Sequence, residues 1–395
     1  MPNVLTINGG SSSIRFAIFE ANQPPRKLLQ GKLDRIGSDD ASLSVDEGGG
    51  SEPTHVKAEF KEPAAAIDFL LDWLESRASF KTLGGVGHRV VHGMLRTEPE
   101  RVTPALLKEL KSIVPFDPEH MPREIELIEA VQRRHGQLPQ VVCFDTAFHR
   151  TMPRVATQLA IPRRYAAKGV QRYGFHGLSY TFLMQELVRL GDPAAARGRV
   201  ILAHLGSGAS LAAVRDGRCI DTSMGFTPTA GLPMGTRSGD LDPGLVSYLA
   251  STESMTAMQF QTLVNHESGL LGISETSADV RDLLAREPND PRAAEALALF
   301  CYQAKKWIGA FAAALGGVDT LVFAGGIGEN AAPVRKRICD GLNFLGIEID
   351  DEANGRHARR ISTDTGSSVM VRVIRTDEES VIAALSVRLL GFESA

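Results

Sequence analysis

The N-terminal segment contains an apolar run, a polar turn and a second apolar run. Residues 4–7 are Val-Leu-Thr-Ile, residues 8–13 are Asn-Gly-Gly-Ser-Ser-Ser, and residues 14–19 are Ile-Arg-Phe-Ala-Ile-Phe. β-Branched and aromatic residues on both sides of a short turn predict two strands joined as a hairpin. Glycines let a ligand approach the backbone, and turn N–H groups with hydroxyls form a concave anion site. The segment predicts a phosphate-binding hairpin tip or, on the simpler interpretation, a polar turn.

The same pattern returns in the second half of the chain. Residues 200–214 again place a glycine and serine turn between two apolar runs, which indicates a duplicated domain. A third apolar run, residues 320–324, leads into the glycine-rich residues 325–330 and a predicted helix. A helix N-terminus beside such a turn is a general site for phosphate or nucleotide. Together, the three segments predict a nucleotide held between two similar domains.

Length and charge exclude several classes of protein. A chain of 395 residues has the length of two domains. It carries 43 Lys and Arg against 47 Asp and Glu, a formal net charge of −4, which is too balanced for a protein whose main partner is nucleic acid. The N-terminus has no basic region or apolar signal core, and no charge-free apolar run approaches the ~18 residues of a membrane helix. We therefore expect a cytoplasmic protein without nucleic-acid or membrane partners.

Strand and helix signals alternate along the chain, which predicts an α/β fold in two layered domains. Residues 40–60 are predicted to form a surface loop or hairpin tip. The four cysteines, none in a CxxC pair, are expected to be buried and reduced. Helical spacing of apolar residues predicts helices over 63–76, 104–114, 122–133, 179–190, 293–316, 333–342 and 378–390. Further strands are predicted over 83–91, 141–144, 320–323 and 369–375.

Eight motifs, in order along nearly the whole chain, resemble the successive signatures of acetate kinases and the related propionate kinases. They are NGGSSS at 8–13, GHRVVHG at 87–93, FDTAFH at 144–149, RYGFHG at 172–177, HLGSGAS at 204–210, MGTRSGDLDP at 234–243, AGGIGEN at 324–330 and RTDEE at 375–379. The resemblance implies ATP-dependent, reversible phosphorylation of acetate to acetyl phosphate, with propionate or another short-chain carboxylate as the alternative substrate. It also implies Mg²⁺, or Mn²⁺, and a homodimer.

The resemblance further implies a fold. The family belongs to the actin, sugar-kinase and heat-shock-protein-70 ATPase superfamily, so we expect duplicated ribonuclease H-like domains of the actin-like ATPase type with a nucleotide cleft between them. Residues 1–150 plus 376–395 are expected to form an N-terminal lobe on the acyl and metal side. Residues 151–375 are expected to form the nucleotide-binding C-terminal lobe.

The reaction joins two anions, so positioning and charge neutralisation must supply most of the catalysis. Arginine suits this task because its guanidinium fork binds carboxylate or phosphoryl oxygens and stays charged. Arg89 and Arg237 lie in two of the motifs, and the resemblance places both at the acyl site. The alternative for each is a solvated surface arginine or a domain-closing salt bridge.

Asp145 and His176 are the other predicted catalytic residues. Asp145 follows the apolar run 141–144, and the carboxyl end of a strand is a favoured catalytic position in α/β sheets. It is expected to orient the acid and to bind magnesium through water, with a helix N-cap as the alternative. His176, flanked by the glycines of its motif, is expected to donate a hydrogen bond to the phosphoryl oxygens in transit. A structural histidine is the alternative.

The resemblance assigns the metal to Asn8 and Glu378. One or two carboxylates, phosphates and water are the usual shell of Mg²⁺. For Glu378, the alternative is a first-turn glutamate favoured by the helix dipole. Ser11, Ser12 and Ser13 are expected to shape the phosphate region. The ATP-binding residues that the resemblance implies are Arg15, His204, Gly206, Ser207, Gly208, Asp279, Val280, Arg281, Gly326, Ile327 and Asn330.

The resemblance also implies a small apolar acyl pocket, lined by Val91, Phe116, Phe175 and Pro228. Such a pocket separates acids that differ by one methylene by only about 1–3 kcal/mol, so acetate and propionate are hard to distinguish. Phe116 and Asp117 stand where the family often has leucine and histidine. The larger ring favours a two-carbon acid, whereas the carboxylate would either repel the substrate or pair with an arginine.

Two other functions stay open from the sequence. A kinase of the same superfamily that acts on a hydroxyl group would need a catalytic aspartate as base and a polar substrate pocket. A nucleotide-driven binding protein, filament-forming or chaperone-like, would need ATP-dependent closure but no acyl pocket. The two arginines and the apolar lining favour the carboxylate kinase.

Overall fold

The structure, a computed structural model, describes residues 1–10, 13–38, 40–48, 54–57 and 63–392, without the side chains of residues 63 and 64. Ser11 and Ser12 lie outside the described residues. The strands are β1 (Asn3–Gly9), β2 (Ile14–Glu20), β3 (Arg26–Asp34), β4 (Ser42–Asp46), β5 (Thr54–Lys57), β6 (Leu83–Val90), β7 (Glu100–Arg101), β8 (Gln140–Phe144), β9 (Arg199–Leu205), β10 (Ala209–Arg215), β11 (Arg218–Thr222), β12 (Thr320–Ala324) and β13 (Met370–Val373).

The helices follow the same chain order. They are α1 (Pro63–Glu75), α2 (Pro104–Ser112), α3 (Met121–Arg134), α4 (Arg154–Thr157), α5 (Arg163–Ala166), α6 (Gly177–Arg189), α7 (Ala194–Arg197), α8 (Gly244–Thr252), α9 (Ala257–Thr262), α10 (Gly269–Ser274), α11 (Val280–Arg286), α12 (Pro291–Leu315), α13 (Gly325–Asn330), α14 (Ala332–Cys339), α15 (Asp351–Gly355) and α16 (Glu378–Leu390). Among the residues that the structure describes, no helix is long and apolar enough to cross a membrane.

The chain forms two compact units. The N-terminal unit comprises Met1–Ala147 and Asp377–Ala395, and the C-terminal unit comprises Phe148–Thr376. The first contains an eight-stranded sheet in the order β5-β4-β3-β2-β1-β6-β8-β7, and the second a five-stranded sheet in the order β11-β10-β9-β12-β13.

The two sheets repeat one strand arrangement. In each, a hairpin is antiparallel (β1 with β2, β9 with β10), and its first strand pairs in parallel with a later strand (β1 with β6, β9 with β12). The outer neighbours also match, because β3 and β11 are antiparallel to the hairpin and β8 and β13 continue the parallel pairing. The predicted α/β fold with duplicated actin-like domains is therefore confirmed, and the matching strand order of the two sheets shows the duplication.

Helices cover both faces of the N-terminal sheet. Leu5 and Ile7 of β1 face a core that α1 and α3 complete. Val4, on the opposite face, packs with Val387 of α16. Because alternate residues of a strand point to opposite faces, a strand between two helical layers is apolar at nearly every position. This explains the continuous apolar run before the first polar turn.

The C-terminal unit buries its hairpin in the same way. Val200 and Leu202 of β9 pack with Tyr180, Leu183 and Leu187 of α6. Helix α12 contacts the same hairpin through β9 and β10. The polar turn between β9 and β10 is thus fixed at one end of a well-packed hairpin.

Most predicted elements are present, with shifted ends. The predicted helix over 333–342 ends at Cys339, and the glycine-rich segment before it forms the short helix α13. The predicted strand over 369–375 is shorter, Met370–Val373. Part of residues 40–60 forms the antiparallel strands β4 and β5. All four cysteines are free and buried, as predicted.

A packing prediction follows from β6. A Cβ atom on Gly87 would overlap Ser386 Oγ and lie 2.7 Å from Ile382 Cγ2, because α16 lies directly on this strand. We expect Gly87→Ala to lower the free energy of unfolding by about 1–3 kcal/mol through overpacking. Gly309→Ala is the control, since Gly309 lies in α12 with open space around it and alanine should stabilise the helix by up to about 1 kcal/mol. Thermal unfolding measures both, and equal shifts would contradict this packing.

Candidate active site

Arg89 and Asp145 meet where two parallel strands end. Arg89 lies near the end of β6, and Asp145 directly follows β8, its parallel neighbour. Asp145 Oδ2 accepts hydrogen bonds from Arg89 Nη2 at 2.7 Å and from Nε at 3.2 Å. The Asp145 side chain is fully buried, and its backbone N–H donates to the carbonyl of Val90 at 3.0 Å. Two of the predicted catalytic residues are therefore in direct contact.

Glu124, which the sequence analysis missed, completes this group. Its Oε1 accepts from Arg89 Nη1 at 3.2 Å, and its Oε2 accepts from the backbone N–H of Val91 at 2.8 Å. We call Arg89, Asp145 and Glu124 the arginine cluster. A signal for Glu124 was present in the sequence, because the spacing of α3 puts this acid on the same face as Met121 and Ile128, which are buried.

The arginine cluster places two carboxylates on a single cation. Burial lowers the pKa of Arg89, but the charges of Asp145 and Glu124 outweigh it and hold the guanidinium pKa above its usual value. Burial raises the pKa of Glu124 to about 8, against the opposing effects of the Arg89 charge and the Val91 N–H. Asp117 and Asp145 add to the increase. Arg89 thus stays charged, whereas Glu124 titrates near neutral pH.

Asn8 and the first turn of α16 bring oxygen ligands together. Asn8 Nδ2 donates to Glu378 Oε2 at 2.7 Å and to Glu379 Oε1 at 3.4 Å. Burial raises the pKa of Glu379, and the charge of Glu378 raises it further. Two close carboxylates with an amide oxygen nearby suit a hard divalent cation such as Mg²⁺. No group of three or more His, Cys, Asp or Glu that could hold a metal occurs in the part of the chain that the structure describes, so phosphate and water would complete the shell.

The first polar turn lies beside these carboxylates. Arg15 pairs with Asn8 across the β1–β2 hairpin, its side chain is exposed, and its charge opposes the increase in the Glu379 pKa. The carbonyl of Ser13 accepts from the N–H of Gly10 at 2.7 Å, which closes the described part of the turn. The predicted roles of Ser11 and Ser12 fall outside the described residues.

Val91 and Phe116 flank one histidine of the second motif. Val91 is buried, and the Phe116 ring lies 5.5 Å from the His92 ring between centroids. Burial lowers the pKa of His92 to about 4, so the ring is neutral at physiological pH. The buried Asp117 accepts a hydrogen bond from His120 Nδ1 at 2.9 Å when that nitrogen carries the proton. The Asp117 carboxylate therefore contacts a histidine.

His176 is held in an unusual backbone conformation by a buried hydroxyl pair. Its φ of 60° is in the left-handed region, which residues other than glycine rarely adopt. His176 Nδ1 lies 2.8 Å from Ser210 Oγ, which in turn lies 2.5 Å from the Tyr180 hydroxyl. The His204 ring lies 4.4 Å from the His176 ring. When Ser210 donates to Nδ1, the ring proton is on Nε2, the tautomer that can donate to a ligand.

The second polar turn brings His176 and Arg237 together. The turn is closed by a 3.0 Å hydrogen bond from the Gly206 N–H to the Gly208 carbonyl. A Cβ atom on Gly208 would lie 3.4 Å from His176 Nε2 and 3.7 Å from Arg237 Nη1. The backbone of the turn thus lies close to both side chains. The exposed Ser207 accepts through its carbonyl from the N–H of Gly235 at 3.1 Å, which fixes the Arg237 loop to the turn.

The C-terminal unit also contains Phe175 and Pro228, the other predicted pocket residues. Both are buried, and the carbonyl of Pro228 accepts from Arg237 Nη1 at 3.3 Å. The carbonyl of Phe175 lies 2.9 Å from Nε2 of His149. Burial lowers the pKa of His149 to about 4, so this histidine is a neutral structural support for the Phe175 backbone.

The third glycine-rich segment approaches the second polar turn. A Cβ atom on Gly206 would lie 3.8 Å from the backbone nitrogen of Gly326. Asn330 Nδ2 donates to the Gly326 carbonyl at 2.9 Å, and Ile327 is half-buried between them. The fully buried Arg335, which the sequence analysis missed, donates to the carbonyls of residues 328 and 329 at 2.9 and 3.0 Å and fixes the end of α13.

Asp279, Val280 and Arg281 lie at the start of α11. Asp279 Oδ1 accepts from the Arg281 N–H at 2.8 Å, and the two side chains form an exposed ion pair. Val280 is buried, so only its backbone is available to a ligand. The segment borders the second polar turn, because a Cβ atom on Gly235 would lie 3.3 Å from the carbonyl of Ala278.

The predicted site residues thus fall into two groups. The N-terminal unit contains Asn8, Arg15, Arg89, Val91, Phe116, Asp145 and Glu378; the C-terminal unit contains Phe175, His176, His204, Gly206, Ser207, Gly208, Pro228, Arg237, Asp279, Val280, Arg281, Gly326, Ile327 and Asn330. Glycine turns at strand ends, an arginine in each unit and acidic oxygens on a repeated mixed sheet define a phosphotransferase of the actin-like ATPase class.

Comparisons with known proteins agree with this class. A sequence model of the Acetokinase family matches residues 3–384. An acetate kinase of Rhodopseudomonas palustris is 44% identical over 386 residues, 96% of each chain, and one of Methylocella silvestris is 41% identical over 401 aligned positions, 98% of each. The crystal structure of Porphyromonas gingivalis acetate kinase superposes with a TM-score of 0.87 at 35% identity, covering 99% of this chain and 100% of that one. A propionate kinase of Francisella tularensis superposes with a TM-score of 0.90 at 33% identity over 98% and 99%. The chain belongs to the acetokinase family and is a kinase, as its motifs predict.

A prediction concerns the support of His176. Ser210→Ala removes the hydroxyl that fixes the imidazole tautomer, so we expect kcat to fall about tenfold with little change in the KM for either substrate. Steady-state kinetics measure this effect. Ser112→Ala is the control, since Ser112 is exposed and bonds only within its own helix turn. An unchanged kcat in the Ser210 variant would contradict a role for this hydroxyl.

Proposed function

We propose that the chain transfers the γ-phosphoryl group of ATP reversibly to the carboxylate of acetate, giving acetyl phosphate and ADP, with propionate as the alternative acceptor. The observation that supports this most is the arginine cluster. It holds a permanently charged guanidinium between two buried carboxylates, and one of these, Glu124, also accepts from the backbone N–H of the buried Val91. Such a site suits a small molecule with one charged end and one methyl end.

The chemistry needs no general base. Acetate is already ionised at neutral pH, so its oxygen can attack the γ-phosphorus directly while the bond to the ADP oxygen breaks. The main barrier is repulsion between the two anions, which cationic groups lower. This requirement favours a carboxylate acceptor over a hydroxyl acceptor. A hydroxyl needs a base, and Asp145 Oδ2 is instead taken by two N–H groups of Arg89.

We assign the acyl and metal functions to the N-terminal unit. Arg89 binds the substrate carboxylate, and Val91 and Phe116 contact its alkyl group, while Asp145 orients the guanidinium. Asn8 and Glu378 hold Mg²⁺, or Mn²⁺, which has the same preference for oxygen ligands. When bound, the metal supplies charge neutralisation on the ATP phosphates.

We assign nucleotide binding and stabilisation of the phosphoryl group to the C-terminal unit. His176 and Arg237 flank the second polar turn and donate to the phosphoryl oxygens during transfer. Phe175 and Pro228 are assigned apolar contacts with the substrate. The ATP-binding residues are His204, Gly206, Ser207, Gly208, Asp279, Val280, Arg281, Gly326, Ile327 and Asn330, with Arg15 on the N-terminal unit.

A homodimer is also proposed, and an exposed apolar surface of the C-terminal unit supports it. Leu241, Tyr248, Leu299 and Tyr302 are 45%, 62%, 37% and 59% exposed. Leu241 and Leu299 line one shallow cavity with Trp307, so part of this surface is continuous. Contiguous exposed apolar surface is typical of protein interfaces. The cytoplasmic location and the lack of nucleic-acid partners stay predictions.

The direct test is formation of acyl phosphate from ATP and acetate, measured by trapping the product with hydroxylamine. We expect the wild-type protein to form it with magnesium present. We expect Arg237→Ala to lower kcat by at least about 100-fold, because a donor to developing charge is lost. No product with acetate, propionate or butyrate from folded protein would reject the proposal. If Arg237→Ala leaves ATP hydrolysis intact in a protein that makes no acyl phosphate, the nucleotide-driven binding protein becomes the better reading.

A second prediction concerns chain length of the substrate. Phe116→Leu enlarges the proposed pocket, so we expect the ratio of kcat/KM for propionate over acetate to rise about tenfold, within the range for one methylene. Phe344→Leu is the matched control, because Phe344 is 79% exposed. Measured ratios that agree between the wild type and both variants would place Phe116 outside the pocket.

A further inference from the structure

Arg89 has few donors left for a substrate. A guanidinium has five N–H groups. Nε and one N–H of Nη2 donate to Asp145, and the two N–H groups of Nη1 donate to the carbonyl of Gly9 and to Glu124, both at 3.2 Å. Within the described residues, one N–H of Nη2 has no partner. The Arg89 guanidinium is therefore largely occupied, and a substrate carboxylate that binds to it must share it with Asp145 and Glu124.

Glu124 connects Arg89 to the backbone of the proposed acyl pocket. The side chain is 2% exposed and uses one oxygen for Arg89 and the other for the N–H of Val91. Val91 follows the last residue of β6, so its buried N–H lies beyond the strand pairing and needs another acceptor. One side chain thus fixes the distance between the charged and the apolar parts of the proposed site.

The charge of Glu124 opposes the charge of a carboxylate substrate. The charged groups that face it are Arg89 from β6, Asp145 after β8 and Asp117 after the turn at 114–116. Glu378 also acts on Arg89. With Glu124 ionised, the arginine cluster has two negative charges and one positive charge. With Glu124 protonated, the cluster is neutral and accepts an anion more readily.

We propose that Glu124 is a positioning residue that sets the affinity for the carboxylate substrate. It holds the Arg89 guanidinium and the Val91 backbone in one arrangement, and its ionised form competes with the substrate for Arg89. The inference rests on the proposed function in one respect, namely that the substrate is a short carboxylate. The burial of Glu124 supports this proposal. It raises the pKa of Glu124 to about 8, so the ionised form that competes with the substrate appears close to neutral pH.

The test is the KM for acetate between pH 7 and pH 9, with kcat and the KM for ATP measured alongside. For one competing group with a pKa of about 8, we expect the wild-type KM for acetate to rise about tenfold over this range. Glu124→Gln keeps the size of the side chain without its charge, so its KM should change less than about twofold. Glu124→Ala removes the support of Arg89 and should raise the KM for acetate about tenfold already at pH 7, with the KM for ATP unchanged.

Glu129→Gln is the matched control. Glu129 lies on the same helix in an exposed pair with Lys111, so this variant should follow the wild-type profile. The same pH dependence of the acetate KM in the wild type and Glu124→Gln would overturn the proposal. The proposal would also be overturned if Glu124→Ala lowered only kcat, or if it raised the KM for ATP as much as the KM for acetate. If Glu124→Ala fails to fold, the Gln variant decides the outcome alone.

A readout without catalysis separates this inference from the proposed function. The folded state raises the pKa of Glu124 from 4.5 to about 8, so the free energy of unfolding should fall as pH rises through this window, because the unfolded chain releases the proton earlier. Glu124→Gln should lack this part of the fall in chemical unfolding at pH 5 and pH 8. If the free energy of unfolding decreases equally in the wild type and in Glu124→Gln between pH 5 and pH 8, Glu124 does not titrate in this range and the proposal is overturned. If the two proteins differ in this decrease but no acyl phosphate is formed, only the proposed function is rejected.

Discussion

A single buried guanidinium, shared by two carboxylates, organises the N-terminal unit. Arg89 joins the end of β1, the end of β8 and the first turn of α3 through Gly9, Asp145 and Glu124. Removal of one partner from a buried ion group costs about 3–5 kcal/mol, whereas a well-packed apolar replacement is often neutral or stabilising. Stability alone therefore does not explain why charged residues lie here. A permanent cation at the meeting point of strand ends does explain it, because the proposed substrate is an anion.

In the C-terminal unit, backbone geometry positions the proposed donors, His176 and Arg237. A glycine turn between β9 and β10 lies close to the His176 imidazole and the Arg237 guanidinium. The left-handed conformation of His176 and its contact with Ser210 fix the direction of the ring. Groups held in this way need little reorganisation when charge develops.

The sequence allowed the fold to be predicted well because the apolar and glycine patterns repeat. The hairpins, the α/β class and the last helix follow from local signals, and most helix ends differ from the predicted ends by one to three residues. The contacts within the candidate site were harder to predict from the sequence. Glu124 lies on an apolar helix face, but its contacts with Arg89 and Val91 join residues distant in sequence. Likewise, the sequence did not indicate that Asp117 contacts His120, or that Ser210 supports His176, because such pairs depend on tertiary packing.

The central claim, that Arg89 receives the carboxylate while its own two carboxylates hold it, is tested most directly by a crystal structure with acetate, ADP, magnesium and a phosphoryl analogue. The account predicts an acetate oxygen within about 3 Å of Arg89 Nη2, with Asp145 still bonded to the same guanidinium. Acetate bound away from Arg89, or a guanidinium that has left Asp145 to reach it, would contradict the account.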